Sequence, residues 1–343
     1  MQLCTCSTVT CYLQEPGTYV RIMFFDFSSA FNTIQPMILR DKLKDIGVNP
    51  SFVSWITDYL TDRPQFVRLG NCVSGTVMSS TGAPQGTVLA PFLFTLYTAD
   101  FKYNSESCHI QKYSDDTAIV ACIQNGQESE YRDLIKAFCD WSHRNCLLLN
   151  TSKTKEMIVD FRRSGLCHQP VNIHGVDMEV VPTYKYLGVH LDNKLDWSLN
   201  TDALFKKGQS RLFFLRRLRS IDVCGKLLQM FYQSVVASVL FYGAVCWGNS
   251  LKQKDKRRLE KLVKRASSVV GSCLDSLEAV VERYTQKKVE AIIGHTDHPL
   301  HIILDQRNSS SGRLTSLRCR TERYRRSFLP AAIRVYNSLI YGR

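Results

Sequence analysis

The run TYVRIMFFD at positions 18–26 constrains this chain more than any other stretch. It is short and dense in aromatic and aliphatic side chains, so it reads as a buried strand, and it delivers a carboxylate, Asp26, to the strand's end. A second carboxylate site lies in HIQKYSDDTAIVAC, which reads as two strands folded about a Ser114–Asp115–Asp116 corner. Burying such charges without a partner is costly, so each aspartate is expected to have one.

Bound Mg²⁺ is the simplest partner for an oxygen-rich cluster. Two such ions, about 3.5–4 Å apart, activate an attacking hydroxyl and stabilise a leaving pyrophosphate, which is the chemistry of nucleotidyl transfer. The bland alternatives are real. A single Asp at a strand end is most often a cap, and an Asp-Asp pair in a turn is commonly solvated surface. The two in this order, with a glycine-bearing loop between them, favour the metal reading. A phosphatase-type aspartyl nucleophile would want a second Asp two residues on, where this chain has Ser28.

The sequence changes character once, near Trp197. Before it, short β-rich runs alternate with helical patterns. PMILRDKLKDIG has Pro36 at a helix start, Ile38, Leu39, Leu43 and Ile46 at helical spacing, and Gly47 as a stop. PSFVSWITDYL repeats the style, with Phe52, Ile56 and Tyr59 on one face. QFVRLGNCVSGTVMSS reads as a hairpin about Gly70 and Asn71, and VLAPFLFTLYTADF as a helix buried on most sides. A helix is expected from about Glu128 to Asn145, then strands at EMIVDF, VNIHGV and YKYLGVHLD. After Trp197 come long basic helices, including KQKDKRRLEKLVKR, where Leu259, Leu262 and Val263 mark the packed face. From Gly271 the chain looks loop-prone and ends in the basic stretch RCRTERYRRSFLPAAIRVYN.

The chain has 343 residues, enough to bury a core in more than one domain, and its net charge of +13 favours a polyanionic partner, nucleic acid or an acidic membrane surface. No stretch is apolar for long enough to cross a bilayer; the best, around Phe231–Trp247, is broken by Gln233, Ser234, Ser238 and Gly243. MQLCTCSTVTCYLQEPG lacks the features of a signal peptide, so the 13 cysteines are expected in a reducing compartment, mostly as small hydrophobes. Cys4, Cys6 and Cys11 have no companions that complete a metal site.

Five segments in order resemble one family. FFDFSSAFNTI, GAPQGTVLAPFLFTLY and KYSDDTAIV are similar to the three catalytic motifs of LINE-type (non-LTR) retrotransposon reverse transcriptases. LLLNTSKTKEMIVDF is similar to the motif that follows, and YKYLGVHLD to the primer-grip hairpin. The similarity runs from Tyr19 through the basic helices into RRSFLPAAIRVYN.

The resemblance implies an α+β right-hand polymerase palm, an antiparallel sheet with helices packed on it, followed by a helical thumb and a C-terminal region. The implied domains are an N-terminal piece unlike the rest or disordered (1–17), palm with partial fingers (18–192), basic thumb (197–270) and basic C-terminal region (271–343). Asp26, Asp115 and Asp116 would ligate two Mg²⁺ ions (Mn²⁺ as a substitute), with help from the carbonyl of Phe27. Phe31 would be the steric gate selecting deoxynucleotides, or else ordinary core. Gln85 and Gly86 would lie along the incoming nucleotide, glycine allowing close backbone approach. Tyr113 precedes the catalytic turn, where Ser114 replaces the family's usual Ala. Lys153 would neutralise or protonate pyrophosphate, or stand as a solvated lysine; Tyr186, Leu187 and Gly188 would hold the primer end. The implied partners are an RNA template, a DNA primer and deoxynucleoside triphosphates, in cytoplasm and nucleus, with no membrane. KQKDKRRLEKLVKR would track phosphates, or be a solvated face or nuclear localisation stretch.

Departures from the pattern matter too. The fingers and an upstream endonuclease do not fit before Tyr19, and Cys319 has no companions for a Cys/His knuckle. The expectation is an N-terminally truncated copy, a misplaced gene start or a short form, with weak or undetectable polymerase activity. A silent nucleic-acid-binding remnant is the alternative to the RNA-directed DNA polymerase. An RNA polymerase on the same palm is disfavoured by Phe31.

Overall fold

The computed structural model of the chain describes residues 17–162, 168–308 and 311–341, together with Val9 and Leu13. The expectations for Cys4, Cys6, Cys11 and most of the first 17 residues lie outside the described residues. The chain divides into two compact units, one of Arg21–Ile158 with Ser164–Val181 and one made chiefly of Pro182–Arg343.

The first unit is built on a five-stranded sheet. Its strands are β1 (Thr18–Phe25), β6 (Cys108–Tyr113), β7 (Asp116–Gln124), β8 (Lys155–Val159) and β11 (Glu179–Val180), in the order β11-β8-β1-β7-β6. β1 is central and every residue in it is buried, as its composition requires. The sheet is not wholly antiparallel, because β11 pairs with β8 in parallel while β6 and β7 form an antiparallel hairpin. Small hairpins decorate it: β2 (Arg63–Gln65) with β5 (Val77–Ser79), β3 (Arg68–Leu69) with β4 (Cys72–Val73), and β9 (Asn172–Ile173) with β10 (Val176–Asp177). The Gly70–Asn71 turn is where the sequence puts it; VNIHGV is a hairpin rather than one strand.

Among the described residues four α-helices belong to this unit: α1 (Pro36–Asp45), α2 (Pro50–Leu60), α3 (Leu89–Tyr97) and α4 (Ser129–Arg144). Pro36 and Pro50 each stand in a first turn, where a missing N–H costs nothing. α4 turns Tyr131, Leu134, Ile135, Phe138 and Trp141 inward. The Phe138 ring sits 4.6 Å from that of Phe25. Three faces differ from expectation. α1 buries Leu39 and Leu43 but leaves Ile46 exposed; α2 buries Val53 and Leu60, not Phe52; α3 leaves Phe92 on the surface. Helical spacing marks an apolar face, but which neighbours arrive to cover it is a tertiary matter.

A charged network lies inside this unit. Arg21 on β1 is fully buried and donates from Nε and Nη2 to the two oxygens of Glu156 on β8, at 2.8 Å each. Nη2 also donates to the Gln169 carbonyl, Nη1 lies 2.6 Å from Glu128, and the Tyr131 hydroxyl donates to Glu156. A strand of buried hydrophobes thus carries a paired charge at its fourth position.

The second unit opens with a hairpin of β12 (Thr183–Tyr186) and β13 (Val189–Asp192). Helices follow: α5 (Ser198–Ser220), α6 (Gly225–Phe231), α7 (Gln253–Val270), α8 (Leu277–Ile293) and α9 (Phe328–Tyr341). α5 crosses α7 at Gly208, where an added Cβ would meet Leu240 at 2.6 Å and Leu262 at 3.0 Å. α7 buries Leu259, Leu262 and Val263, the face its spacing marks. The apolar segment after α6 is not one continuous helix. It widens to a π-helix over Tyr232–Ala237 and breaks at Gly243, whose φ is 63°. No single helix is long and apolar enough to cross a membrane, although Gly225–Leu240 and Ala244–Ser250 together pass by length and composition as a pair bent by 44°.

The region from Gly271 is more helical than its sequence suggests. Ser276 caps α8 by accepting from the Ala279 amide, and α8 packs on α9. A Ser cap before LEAVVERYTQKKVEAII was the signal in the sequence. Among the described cysteines Cys108, Cys122, Cys139 and Cys246 are buried, while Cys72, Cys146, Cys224 and Cys273 are exposed, so the small-hydrophobe expectation holds for part of them.

Candidate active site

The candidate site forms where β1 ends and the β6–β7 hairpin turns, both in the first unit. Tyr113 and Asp116 face each other across the hairpin, with Ser114 and Asp115 as its turn. Ser114 takes a left-handed φ of 54°, so the turn is tight and lifts Asp115 out at its tip. Tyr113 is exposed.

Asp26 is held by its backbone. Its carbonyl accepts from the Asn150 amide at 2.8 Å, and its amide donates to the Thr154 hydroxyl at 3.3 Å. Thr154 is buried, and the turn from Asn150 to Thr154 is closed by its own hydrogen bonds, the Thr154 amide donating to the Asn150 carbonyl. The same turn carries Lys153, whose Nζ lies 3.8 Å from Asp26 Oδ2. Phe27 bridges to Leu149, while the flanking bonds run from Ser28 N–H to the Leu148 carbonyl and from Asn150 N–H to Asp26. That alternation leaves the Phe27 carbonyl outside this pairing.

The carboxylates share one electrostatic neighbourhood. Partial desolvation, then the negative charges of Asp115 and Asp26, push the Asp116 carboxyl above its ordinary value. The expectation that all three are buried was too strong: Asp26 and Asp115 are half-buried and Asp116 is exposed. The reason is local, since two of them sit at a hairpin tip rather than inside the sheet.

Among the described residues no three His, Cys, Asp or Glu side chains converge on one point as metal ligands. The donor set nonetheless fits a hard divalent cation. It is all oxygen, Asp26 Oδ2 is shielded from solvent without a hydrogen-bond partner among the described residues, and a cation would offset the like charges of Asp115 and Asp26 that, after desolvation, raise the Asp116 carboxyl.

Around this centre, Phe31 sits in a short 3₁₀ turn, Ala30–Asn32, half-exposed, its ring 5.2 Å from Phe94 of α3. Gln85 is exposed and donates to Asn32 Oδ1 at 3.1 Å. Gly86 has a φ of 81° and open space where a Cβ would go, so conformation, not close approach by the protein, asks for glycine there. Gly82 is the crowded one: its added Cβ would lie 2.7 Å from Asn32 Cα, because the amides of Gly82 and Ala83 donate to the carbonyls of Ile34 and Phe31. The residues that seat the two loops together, Asn32, Gly82, Asn150 and Thr154, were missed by sequence reasoning. Only Gly82 and Asn150 carried a signal, as turn-forming types in the quoted motifs.

Tyr186, Leu187 and Gly188 lie in the second unit. Tyr186 is buried, and Leu187 and Gly188 form the β12–β13 turn with φ values of 46° and 83°. The Tyr242 hydroxyl donates to the Leu187 carbonyl at 2.9 Å, and its ring would touch a Cβ on Gly188 at 3.1 Å.

Residues 197–238 match a model of the N-terminal region of alkylated DNA repair protein alkB homolog 8, too short a part of the chain to show membership. By structure the chain is similar to apo telomerase from Candida tropicalis, with a TM-score of 0.44 and 10% identity over 99% of this chain and 52% of that one. By sequence it is 25% identical to the probable RNA-directed DNA polymerase from transposon BS of Drosophila melanogaster, over 84% of this chain and 34% of that protein. It is 27% identical to the RNA-directed DNA polymerase from mobile element jockey of the same fly, over 69% of this chain and 27% of that protein. The chain therefore spans about a third of the length of the curated relatives it matches. Residues 2–191, more than half of the chain, match the family model described as reverse transcriptase (RNA-dependent DNA polymerase). With that match over residues 2–191, the chain belongs to the reverse transcriptase family.

Proposed function

We propose that this chain is the polymerase portion of a retrotransposon's RNA-directed DNA polymerase. In this reading the first unit is the palm and the helices after Trp197 begin the thumb. The substrates are an RNA template, a DNA primer and deoxynucleoside triphosphates, met in the cytoplasm and the nucleus. The observation that carries the reading is the coupling of Asp26, Asp115 and Asp116, with Lys153 beside Asp26.

The reaction is an in-line displacement. A primer 3′-hydroxyl attacks the α-phosphorus, and the bond to pyrophosphate breaks. Asp26, Asp115, Asp116 and the Phe27 carbonyl would hold two Mg²⁺ ions, which when bound lower the barrier by neutralising charge on the attacking and leaving oxygens. The protein's own part is positioning. The Asn150–Thr154 turn fixes the Asp26 backbone, so its carboxylate enters at a set angle. Lys153 is mostly exposed, and its ammonium is able to leave Asp26 for the departing pyrophosphate. Phe31, steadied by Phe94, stands as the gate beneath the sugar, and Gln85, steadied by Asn32, lies along the nucleotide.

Primer extension on an RNA template with Mg²⁺ and deoxynucleotides tests the proposal. Weak extension by the chain that Asp115→Asn abolishes is the expected result. No extension, alongside salt-sensitive binding of the same duplex, would replace the enzyme with a nucleic-acid-binding remnant.

A further inference from the structure

The outward face of α5 is built for something the active site does not use. Phe213 and Phe214 stand side by side on it, 58% and 48% exposed, their ring centroids 5.6 Å apart at 74°. Two neighbouring phenylalanines on one long helix, away from its buried Leu204, Gly208, Leu212 and Leu215, leave about half of each ring in solvent. In this edge-to-face arrangement the edge of one ring meets one face of the other, and the remaining ring faces stay open.

Their surroundings are cationic. From Ala203 to Ile221 the chain has no acidic residue and carries Lys206, Lys207, Arg211, Arg216, Arg217 and Arg219. All six are exposed. None of them forms an ion pair among the described residues. Helical spacing sets Arg217 four residues after Phe213 and three after Phe214, on the same side as the rings, with Lys206 seven before Phe213. Rings flanked by unpaired cations are the pattern that takes a base on the π-face and its phosphate on the neighbouring guanidinium.

We propose that Phe213 and Phe214 form a stacking platform for unpaired bases, so that this face of α5 binds a single-stranded stretch of nucleic acid rather than a duplex. An acidic lipid surface would also meet cations and rings. Single-stranded nucleic acid is favoured because only two rings project, among six cations, which is too little apolar area for insertion and enough for two bases. A duplex offers phosphates but hides its base faces, so it would use the cations and leave the rings idle. The inference rests on the nucleic-acid-binding part of the proposed function and adds the form of the strand and the residues that read it.

The test compares binding of a labelled single-stranded oligonucleotide and a blunt duplex to the full chain by fluorescence anisotropy across a salt series. Phe213→Ala with Phe214→Ala is expected to weaken single-strand binding about tenfold or more while changing duplex binding less than about twofold, with the salt slope unaltered. Phe213→Tyr with Phe214→Tyr should restore the affinity, since the rings remain. Arg217→Gln should instead lower the salt slope by about 0.7 on the single strand. Equal losses on both substrates, or none on either, overturn the platform. So does a phenylalanine variant that loses anionic-vesicle binding while keeping the single strand. A wild-type chain that binds neither substrate fails the underlying reading; one that binds both, with an unaffected alanine variant, fails only this inference.

Discussion

Replacing Arg21 by Met tests whether the buried network beneath the site is what orders the sheet. Arg21 and Glu156 are both fully inaccessible, and two 2.8 Å hydrogen bonds join them. The substitution keeps an apolar stem but strands the Glu156 carboxylate in the core, with only the Tyr131 hydroxyl left to it. Glu128 adds little, because it is partly solvated and keeps Arg132 at 2.8 Å. Removing one member of a buried pair costs about 3–5 kcal/mol. Arg21→Met combined with Glu156→Met removes the stranded charge and should cost less than half of that, mainly the unpaired Tyr131 hydroxyl at about 1–2 kcal/mol. With two compact units, a single global unfolding free energy is ill-defined. Hydrogen exchange of amides in β1, β7 and β8 reads the opening of this sheet directly. The reasoning fails if Arg21→Met changes that opening free energy by less than about 1 kcal/mol, or if the double variant costs the sum of the singles.

Two further outcomes follow from the site. Thr154→Val removes the acceptor for the Asp26 amide at nearly constant volume. It should speed exchange of that amide and weaken Mn²⁺ binding about tenfold, with Thr154→Ser restoring both. Unchanged Mn²⁺ binding would show that Asn150 alone holds Asp26. Asp116→Asn should abolish extension yet raise the opening free energy of the β7 amides, because it deletes a carboxylate that partial desolvation and two like charges disfavour. The sign with pH is set by the direction of that shift. A raised carboxyl favours the fold below its unfolded pKa and loses that contribution as pH rises through the folded value. The variant's advantage should therefore be full near neutrality and vanish in acid, measured as the opening free energy of the β7 amides by hydrogen exchange without metal; an advantage that grows toward low pH would contradict it.

Local chemistry was legible where it was sufficient. A short run of aromatic and aliphatic residues broken only by Arg21 reads as an interior strand, so β1 and the position of Asp26 at its end were readable from composition. The SDD corner was readable because a polar triplet between two apolar alternations must turn. The helix starts at Pro36 and Pro50 and the packed face of α7 follow from spacing and cap chemistry alone. Other features were not local. Periodicity placed Phe52 and Ile46 on apolar helix faces, but among the described residues no element covers them. The last 70 or so residues hid α8 behind polar composition, which burial of Val280, Val281, Val289 and Ile292 overrode.

What the sequence by itself determined is the family, the order of its motifs and the strand and turn that carry Asp26, Asp115 and Asp116. Only the tertiary structure decided how they are held. Asn150 and Thr154 reach the Asp26 backbone from more than a hundred residues away, and Glu156 neutralises Arg21 across a sheet whose strands are far apart in the chain. Hydrogen bonds and charge coupling depend on distance in space, which spacing along a chain does not encode until the sheet has formed.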